Sequence, residues 1–143
     1  MTTHKANPNR DDVIALLAAE KLPVDDLPET LNNFVVATDG ETLTGVAGLE
    51  IYGQYGLLRS LAVDKAYRDK GIANNLLAQI EGLAKTEKLS AIYLLTETAP
   101  DYFFRKGYRV INRSSVPSEV QQSTEFSHVC PASAIVMKKP IQL

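Results

Sequence analysis

The sequence predicts an α/β (α+β) chain in which a mixed, mostly antiparallel sheet is covered by helices. Two β-prone stretches, 34–38 and 43–51, flank a tight turn, and a third follows at 55–63. A long amphipathic stretch at 71–87 comes next, and after it short strand and helix patterns alternate. Hairpins followed by alternating strands and helices predict a sheet with helices packed on it.

The N-terminal part predicts one helix and then a broken segment before the sheet. Asn7-Pro8 is typical of a helix N-cap followed by proline at the first helical position. The buried face of this helix is predicted to hold Val13, Ile14, Leu16 and Leu17. Pro23 and Pro28 interrupt the next segment, which we expect to form short helical pieces.

Two turns join the first three strands. Asp39-Gly40 is a hairpin signal between the first and second strands. The glycines from Gly53 to Gly56 mark the turn into the third strand. These turns favour antiparallel neighbours in the first half of the sheet.

Apolar residues at a helical spacing predict the long helix over 71–87, namely Ile72, Leu76, Leu77, Ile80, Leu83 and Ala84. The rest of the chain predicts a strand at 91–97, a short helix at 99–106, a strand at 108–113, a helical piece near 117–124 and a last strand at about 133–139. Because no repeat or linker interrupts this order, we expect residues 1–143 to form one domain.

Composition restricts the function classes. The chain has 143 residues, of which 45% are hydrophobic and 22% charged, as in soluble globular domains. A net charge of −2 and scattered basic residues argue against nonspecific nucleic-acid binding. No apolar run is long enough to cross a bilayer and no signal-peptide core follows Met1, so no membrane partner is expected. The single cysteine excludes an intramolecular disulfide and fits a cytoplasmic protein, and with two histidines it argues against a metal site.

The segment 57–77 carries the strongest functional pattern. An apolar strand leads into a short basic turn and then a helix whose start contains Gly71 and Ala73. Backbone N–H groups and the positive end of the helix dipole favour an anion there, most naturally a pyrophosphate. Arg68 and Lys70 add charge that complements phosphate. The alternative is an ordinary loop with two solvated basic side chains.

The run Arg68-x-x-Gly71-x-Ala73 after Leu61-Ala62-Val63 resembles the acetyl-CoA-binding motif of the GNAT superfamily of N-acetyltransferases. The run 91–96 and the segment 102–108 resemble the next strand, helix and Gly-aromatic turn of that superfamily. The resemblance covers nearly the whole chain. It implies the GNAT fold with splayed central strands, and acetyl-CoA as cosubstrate. The cofactor-binding residues it implies are Leu61, Ala62, Val63, Arg68, Asp69, Lys70, Gly71, Ile72, Ala73 and Asn74.

The resemblance also implies how catalysis is arranged. The splay would lie between 57–63 and 91–97, and backbone groups of Leu61, Ala62 and Val63 would pair with the pantetheine chain like an added strand. We assign the catalytic backbone groups to Ala62 and Val63, where an N–H would stabilise negative charge on the thioester oxygen. A fully paired central strand is the alternative.

The usual acid and base of the superfamily are missing. Many members carry a tyrosine general acid four residues before the glycine of the Gly-aromatic turn, where this chain has Phe103, with Tyr102 beside it. Many carry a glutamate base at the position of Leu57. The other titratable candidates for the base are Glu50, Glu97 and His128, and a water molecule could relay the proton.

Arg59 is the candidate substrate-binding residue. It shares strand parity with Leu57 and Leu61, and a guanidinium there could bind a substrate carboxylate in bidentate fashion. The alternative is an arginine with a packed stem and its head in water. Arg113, near the end of a predicted strand, is a weaker candidate of the same kind, and Ser60 is expected to point the other way.

The C-terminal part resembles a smaller group. Residues 114–117 and 125–137 are similar to GNAT proteins associated with arsenic resistance and to the acetyltransferase domain of N-acetylglutamate synthases. That resemblance implies a small acidic amino acid or a toxic glutamate analogue as the amine acceptor. Another amine, such as a polyamine, an aminoglycoside or a protein N-terminus, stays open, as does a CoA-binding regulatory module without turnover. A homodimer through the apolar last strand is a further expectation, and a thiol function of Cys130 is weighed against simple packing.

Overall fold

In a computed structural model, the described residues are 2–5, 9–22, 24, 27–28, 30–97, 99–123 and 134–141. The chain divides into two compact units. One unit comprises Met1–Leu49 with Leu58–Leu83, and the other comprises Glu50–Leu57 with Ala84–Leu143.

The first unit contains antiparallel strands. β1 (Thr2–Lys5) pairs with β2 (Phe34–Asp39), and β2 pairs with β3 (Thr42–Tyr52). The predicted hairpin turn is confirmed at Gly40, whose φ of +62° suits a glycine. β1 is absent from the sequence-based prediction because its residues show no apolar alternation. It forms by pairing with β2 rather than by its own propensity.

α1 (Arg10–Ala19) contributes to the core of the first unit. Its Val13, Leu16 and Leu17 are buried, whereas Ile14 is half-buried. The three buried side chains join a cluster with Leu31, Phe34, Val36, Val46 and Ala62. Since full burial of an aliphatic side chain contributes about 1.5–3 kcal/mol, this cluster accounts for the packing of so short a helix. The predicted cap Asn7-Pro8 lies outside the described residues, and Asn9 precedes the helix.

The prediction of short helical pieces between α1 and β2 is wrong for the residues that are described there. Leu22, Val24 and Leu27 lie in turns and irregular chain and pack against the same cluster. The carbonyl of Pro28 accepts a hydrogen bond from Arg10 Nη1. The Leu27 N–H donates to the Val24 carbonyl at 3.3 Å, a hydrogen bond of the turn type. Pro23 is not among the described residues.

α2 (Ile72–Thr86) confirms the predicted long helix and its apolar face. Of the predicted stripe, only Leu83 is half-buried, and the others are buried. Gly45 of β3 lies directly beneath the helix start. A Cβ at Gly45 would lie 2.9 Å from Leu76 Cδ1 and 3.0 Å from Ile72 Cγ2. The missing side chain therefore lets α2 approach the β3 backbone.

The second unit contains the parallel pair of the sheet. The first part of β4 (Tyr55–Val63) pairs in parallel with β5 (Ala91–Thr96). β5 then pairs antiparallel with β7 (Ile135–Pro140), and β7 pairs antiparallel with β6 (Arg109–Val110). The mixed, mostly antiparallel sheet is confirmed, and so are the predicted bounds of β4.

Two differences from prediction concern the end of the chain. The predicted strand over 108–113 shortens to the two residues of β6, and Arg113–Ser115 forms a 3-10 turn. Because β7 has β5 on one side and β6 on the other, the last strand is not an edge strand. The homodimer through the last strand stays a prediction.

The short helices α3 (Pro100–Arg105) and α4 (Ser118–Gln121) complete the second unit. Its core cluster contains Leu57, Ala91, Tyr93, Val116, Val120 and Val136. Tyr52, Tyr55, Leu95 and Ile111 pack against this cluster. Within the described ranges, no helix has both the length and the apolar character that a bilayer crossing needs.

Candidate functional site

The parallel pairing of β4 with β5 is short. Its register runs from Tyr55 opposite Ala91 to Leu57 opposite Tyr93. β4 nevertheless continues to Val63, and β5 continues to Thr96 along β7. The parallel register therefore ends at Leu57, before Leu61–Val63.

β4 contains an irregularity at Ser60, whose φ is +60°. A non-glycine residue in this left-handed region costs about 1–3 kcal/mol and marks a bulge when it lies inside a strand. The Asp64 N–H donates to the Thr44 carbonyl at 2.8 Å, which sets the register beyond the bulge. Side-chain alternation consequently does not carry over from Arg59 to Leu61, and the shared parity predicted for these two residues is wrong.

Arg59 is almost fully buried, at 3% exposure. Its Nε donates a hydrogen bond of 3.0 Å to Ser60 Oγ. The alternative of a guanidinium with its head in water is wrong, because a buried cation must be held by polar partners. The sequence predicts that Ser60 points the other way, but its hydroxyl accepts the hydrogen bond from the neighbouring Arg59.

The basic turn before α2 is a built structure. Asp64 accepts a hydrogen bond from the Ala66 N–H at 2.9 Å and caps the 3-10 turn Lys65–Tyr67. Arg68 forms an ion pair with Glu20, which follows α1. Lys70 Nζ lies 5.5 Å from the ring centroid of Tyr67, within range of a cation–π contact. Arg68 and Lys70 are thus not simply two solvated side chains.

Two residues of left-handed backbone bend the chain into α2. Asp69 has φ +64° and Gly71 has φ +77°. A Cβ at Gly71 would meet no atom within 4 Å, so open space adjoins the backbone here. The first N–H groups of a helix have no acceptor within that helix, and Ile72 and half-buried Ala73 lie in that turn. The turn offers donors, positive charge and room for an anion.

The expected cofactor residues fall in the same unit. Leu61 and Val63 are half-buried and Ala62 is buried, whereas Arg68, Asp69, Lys70, Gly71 and Asn74 are exposed. The Ala62 carbonyl would lie 3.2 Å from a Cβ at Gly45, the residue beneath the start of α2. One glycine of β3 therefore contacts both the strand end and the helix start.

The positions expected to hold the acid and base are apolar and packed. Leu57 is fully buried in the core cluster of the second unit. The Phe103 ring packs edge-on between Tyr102 and Tyr108, with centroid distances of 5.2 Å and 5.7 Å. Tyr102 is half-buried and lies beneath Lys106. The side chains of Leu57 and Phe103 therefore cannot donate or accept a proton.

Of the other candidates, Glu50 has the most defined surroundings. Tyr52 Oη donates a hydrogen bond of 2.8 Å to Glu50 Oε1, and both side chains are half-buried. Glu97 is exposed, and His128 lies outside the described residues, as does Cys130. Sequence reasoning missed Tyr52, although its spacing of two from Glu50 on one strand places both on one face.

Arg113 does not lie at a strand end as predicted. It lies in the 3-10 turn after β6, where its Nη2 donates to the Ala134 carbonyl at 3.4 Å.

Elsewhere in this unit, burial raises the pKa of the Tyr93 phenol, and neighbouring Tyr55 raises it further. Among the residues that the structure describes, no group of three or more His, Cys, Asp or Glu side chains could hold a metal ion.

Comparison with known proteins places these features in a family. Residues 30–110 match the acetyltransferase (GNAT) domain. An uncharacterized N-acetyltransferase of Chlorobaculum tepidum is 28% identical over 101 residues, which are 70% of this chain and 64% of that protein. The chain thus spans just under two thirds of that relative's length.

Two solved structures share the fold. Rv2747 from Mycobacterium tuberculosis, in complex with CoA, has a TM-score of 0.83 at 21% identity, over 99% of this chain and 100% of that one. N-acetylglutamate synthase from Neisseria gonorrhoeae, complexed with coenzyme A and N-acetyl-glutamate, has a TM-score of 0.81 at 17% identity. That match covers 99% of this chain and 35% of the synthase chain.

Proposed function

The chain belongs to the acetyltransferase (GNAT) domain family, and on that premise we propose that it transfers an acetyl group from acetyl-CoA to a small-molecule amine. The observation that carries the proposal is the turn from Arg68 to Gly71. It brings two cations and left-handed backbone with open space to the start of α2. A pyrophosphate fits this combination of donors and charge.

The residues proposed to hold acetyl-CoA form two groups. Backbone groups of Leu61, Ala62 and Val63 would pair with the pantetheine amides as an added strand. The segment from Arg68 to Asn74 would hold the pyrophosphate, through backbone N–H groups and the two cations. The bulge at Ser60 supports this assignment, since a bulge interrupts regular strand pairing next to Leu61. When bound, acetyl-CoA supplies an activated acetyl group.

The chain's own part in the reaction is orientation and charge stabilisation. A backbone N–H of Ala62 or Val63 would donate to the thioester oxygen as negative charge develops there. A neutral amine attacks the carbonyl carbon, and sulfur leaves with the bonding electron pair. Because Leu57 and Phe103 carry no titratable group, proton transfer must come from another residue or from water.

We propose a small acidic amino acid or a glutamate analogue as the acceptor. A buried guanidinium at Arg59, already fixed by Ser60, is suited to bind a carboxylate through two hydrogen bonds. The synthase that shares the fold was solved with N-acetyl-glutamate, which supports the same substrate class. We include arsenic-containing glutamate analogues in this proposed class of acceptors.

The experiment measures CoA-thiol release from acetyl-CoA with glutamate, aspartate, phosphinothricin, arsinothricin, a polyamine and an aminoglycoside. Arg59→Lys keeps the charge and removes the bidentate geometry, and Arg105→Lys, at the exposed last residue of α3, is the matched control. We expect turnover with the acidic amino acids, and a KM for the preferred one about 10- to 100-fold higher in Arg59→Lys. Turnover confined to polycations, or an unchanged KM in a folded Arg59→Lys, contradicts the acceptor assignment.

A further inference from the structure

The end of the β3–β4 hairpin fixes two pairs of residues across the strands. Only Gly53 and Gln54 separate β3 from β4, and the φ of +63° at Gly53 is the conformation that a tight hairpin requires. A two-residue connection of this kind places Tyr52 opposite Tyr55. Two residues further along each strand, Glu50 therefore lies opposite Leu57 on the same face.

The packing of the second unit agrees with this register. Tyr52 and Tyr55 both pack against the cluster that contains Leu57 and Tyr93. The rings of Tyr55 and Tyr93 contact edge to face, with centroids 6.0 Å apart. The Tyr52 hydroxyl donates to the Glu50 carboxylate, which agrees with both side chains lying on this face. A half-buried carboxylate thus adjoins aromatic rings.

Such surroundings suit an ammonium group. A carboxylate attracts the cation directly, whereas the Tyr93 ring is already within cation–π range of Lys138 Nζ, 5.7 Å from its centroid. Among the residues that the structure describes, the titratable and charged groups found at the cluster include Tyr52 on β3, Tyr55 on β4, Tyr93 on β5, Lys138 over the Tyr93 ring on β7, and Glu119 of α4 near Gly53. Glu50 is the carboxylate whose position is fixed by a phenol.

We propose that Glu50 binds the acceptor's ammonium group and acts as its general base, with Tyr52 as the residue that positions it. This inference rests on the acetyltransferase function proposed above. Leu57 is apolar, and Glu50 on the neighbouring strand has its Cβ about 4.5–5.5 Å away, as cross-strand partners do. Glu50 on β3 therefore places a carboxylate next to the position on β4 that holds Leu57.

The proton balance of this step is simple. Glu50 takes one proton from the ammonium nitrogen, whose freed lone pair forms the C–N bond to the acetyl carbon. The C–S bond breaks, and its electron pair goes to sulfur. The nitrogen then loses a second proton, which neutralises the thiolate, and Glu50 returns its own proton to solvent.

The test compares pH profiles of kcat/KM for wild type, Glu50→Gln and Tyr52→Phe. The acceptor is whichever amine of the panel above releases most thiol. Hydroxylamine, which is largely unprotonated at neutral pH, is the second nucleophile. Glu119→Gln is the matched control, since Glu119 is an exposed carboxylate near the same turn.

We expect Glu50→Gln to lose about 10²- to 10⁴-fold in kcat/KM near neutral pH. The loss shrinks as pH approaches the pKa of the acceptor amine, and it is absent with hydroxylamine. Tyr52→Phe shows a smaller loss in kcat/KM, which depends on pH and on the nucleophile in the same way as the loss in Glu50→Gln. A Glu50→Gln loss that is equal at every pH, or equal with hydroxylamine, overturns the proposal, as does an equal loss in Glu119→Gln.

Two further readouts separate this inference from the proposed function. CoA dissociation constants and melting temperatures of Glu50→Gln are expected to match those of wild type, which excludes a folding defect. If polyamines are the best acceptors and the pH-dependent loss in Glu50→Gln persists, the acidic acceptor is wrong and the role of Glu50 stands. If acidic amino acids are preferred and Glu50→Gln has no effect, the acidic acceptor stands and the role of Glu50 is wrong.

Discussion

Arg68, in the turn before α2, is ion-paired with Glu20 at the end of α1. The side chain of Glu20 is 13% exposed and that of Arg68 is 50% exposed, so the carboxylate is the better anchored partner. The cation that the sequence assigns to phosphate therefore has a carboxylate partner within its own unit. An anion that binds at the turn must compete with Glu20 for this guanidinium.

Removing the competing carboxylate is expected to strengthen CoA binding. For Glu20→Gln we expect a CoA dissociation constant about two- to fivefold lower, the range that an exposed ion pair permits. Isothermal titration at low and high salt measures it, and the gain shrinks at high salt. Glu41→Gln, an exposed change in the β2–β3 turn, is the control. Weaker CoA binding in Glu20→Gln would show instead that Glu20 positions Arg68 productively.

A side chain at Gly45 is expected to displace the start of α2. Gly45→Ala puts a methyl group within 3.0 Å of Leu76 Cδ1, so we expect a loss of about 1–3 kcal/mol in unfolding free energy and weaker CoA binding. Gly82→Ala, at an open position on the same helix, is expected to gain up to about 1 kcal/mol. Urea unfolding compares them. Equal stability changes in the two variants would refute the close packing of α2 on β3.

Gly71 is expected to matter for ligand binding beyond its backbone conformation. Gly71→Ala and Gly40→Ala both place alanine at positive φ with no atom near the new methyl group. Each is expected to lose about 1–2 kcal/mol of stability. Only Gly71→Ala is expected to weaken CoA binding, because its methyl group enters the open space beside the helix start. CoA titration of both variants measures this, and equal affinities would place the phosphate elsewhere.

Alkaline pH is expected to destabilise the second unit through Tyr93. Burial and Tyr55 raise the pKa of the folded Tyr93 above its unfolded value of 10.0. Above that value the unfolded chain has released this proton while the folded chain still holds it, so stability is present below pH 10.0 and falls as pH rises past it. Urea unfolding from about pH 8 to 11 is expected to show a smaller decline for Tyr93→Phe, with Tyr67→Phe as control. An unchanged decline contradicts the assignment.

The fold follows from the sequence wherever local signals are strong. The bounds of β4 match the prediction because Gly53 marks its start and an apolar run fills it. α2 matches because its apolar stripe is long and regular. β1 could not be predicted, since it becomes a strand by pairing with β2, and β6 shortens because its neighbours form turns.

The candidate site is predictable in outline and not in its contacts. The turn from Arg68 to Gly71 is visible in the sequence as basic residues and a glycine before a helix. The ion pair of Arg68 with Glu20 joins residues 48 positions apart, which local patterns do not reveal. The irregularity at Ser60 breaks the side-chain alternation between Arg59 and Leu61. It could not be predicted, because nothing in the local sequence signals it. The contact between Tyr52 and Glu50 follows from strand alternation and could have been inferred.

The brevity of β6 has a consequence for the behaviour of the protein at high concentration. β6 is the outer strand of the second unit, next to β7, and contains only Arg109 and Val110. A long, flat outer strand offers a row of backbone donors and acceptors on which another chain can polymerise. Here that row is two residues long and carries an arginine, whose guanidinium lies over the Phe104 ring, 4.3 Å from its centroid. β6 itself therefore offers few backbone groups on which another chain could extend the sheet.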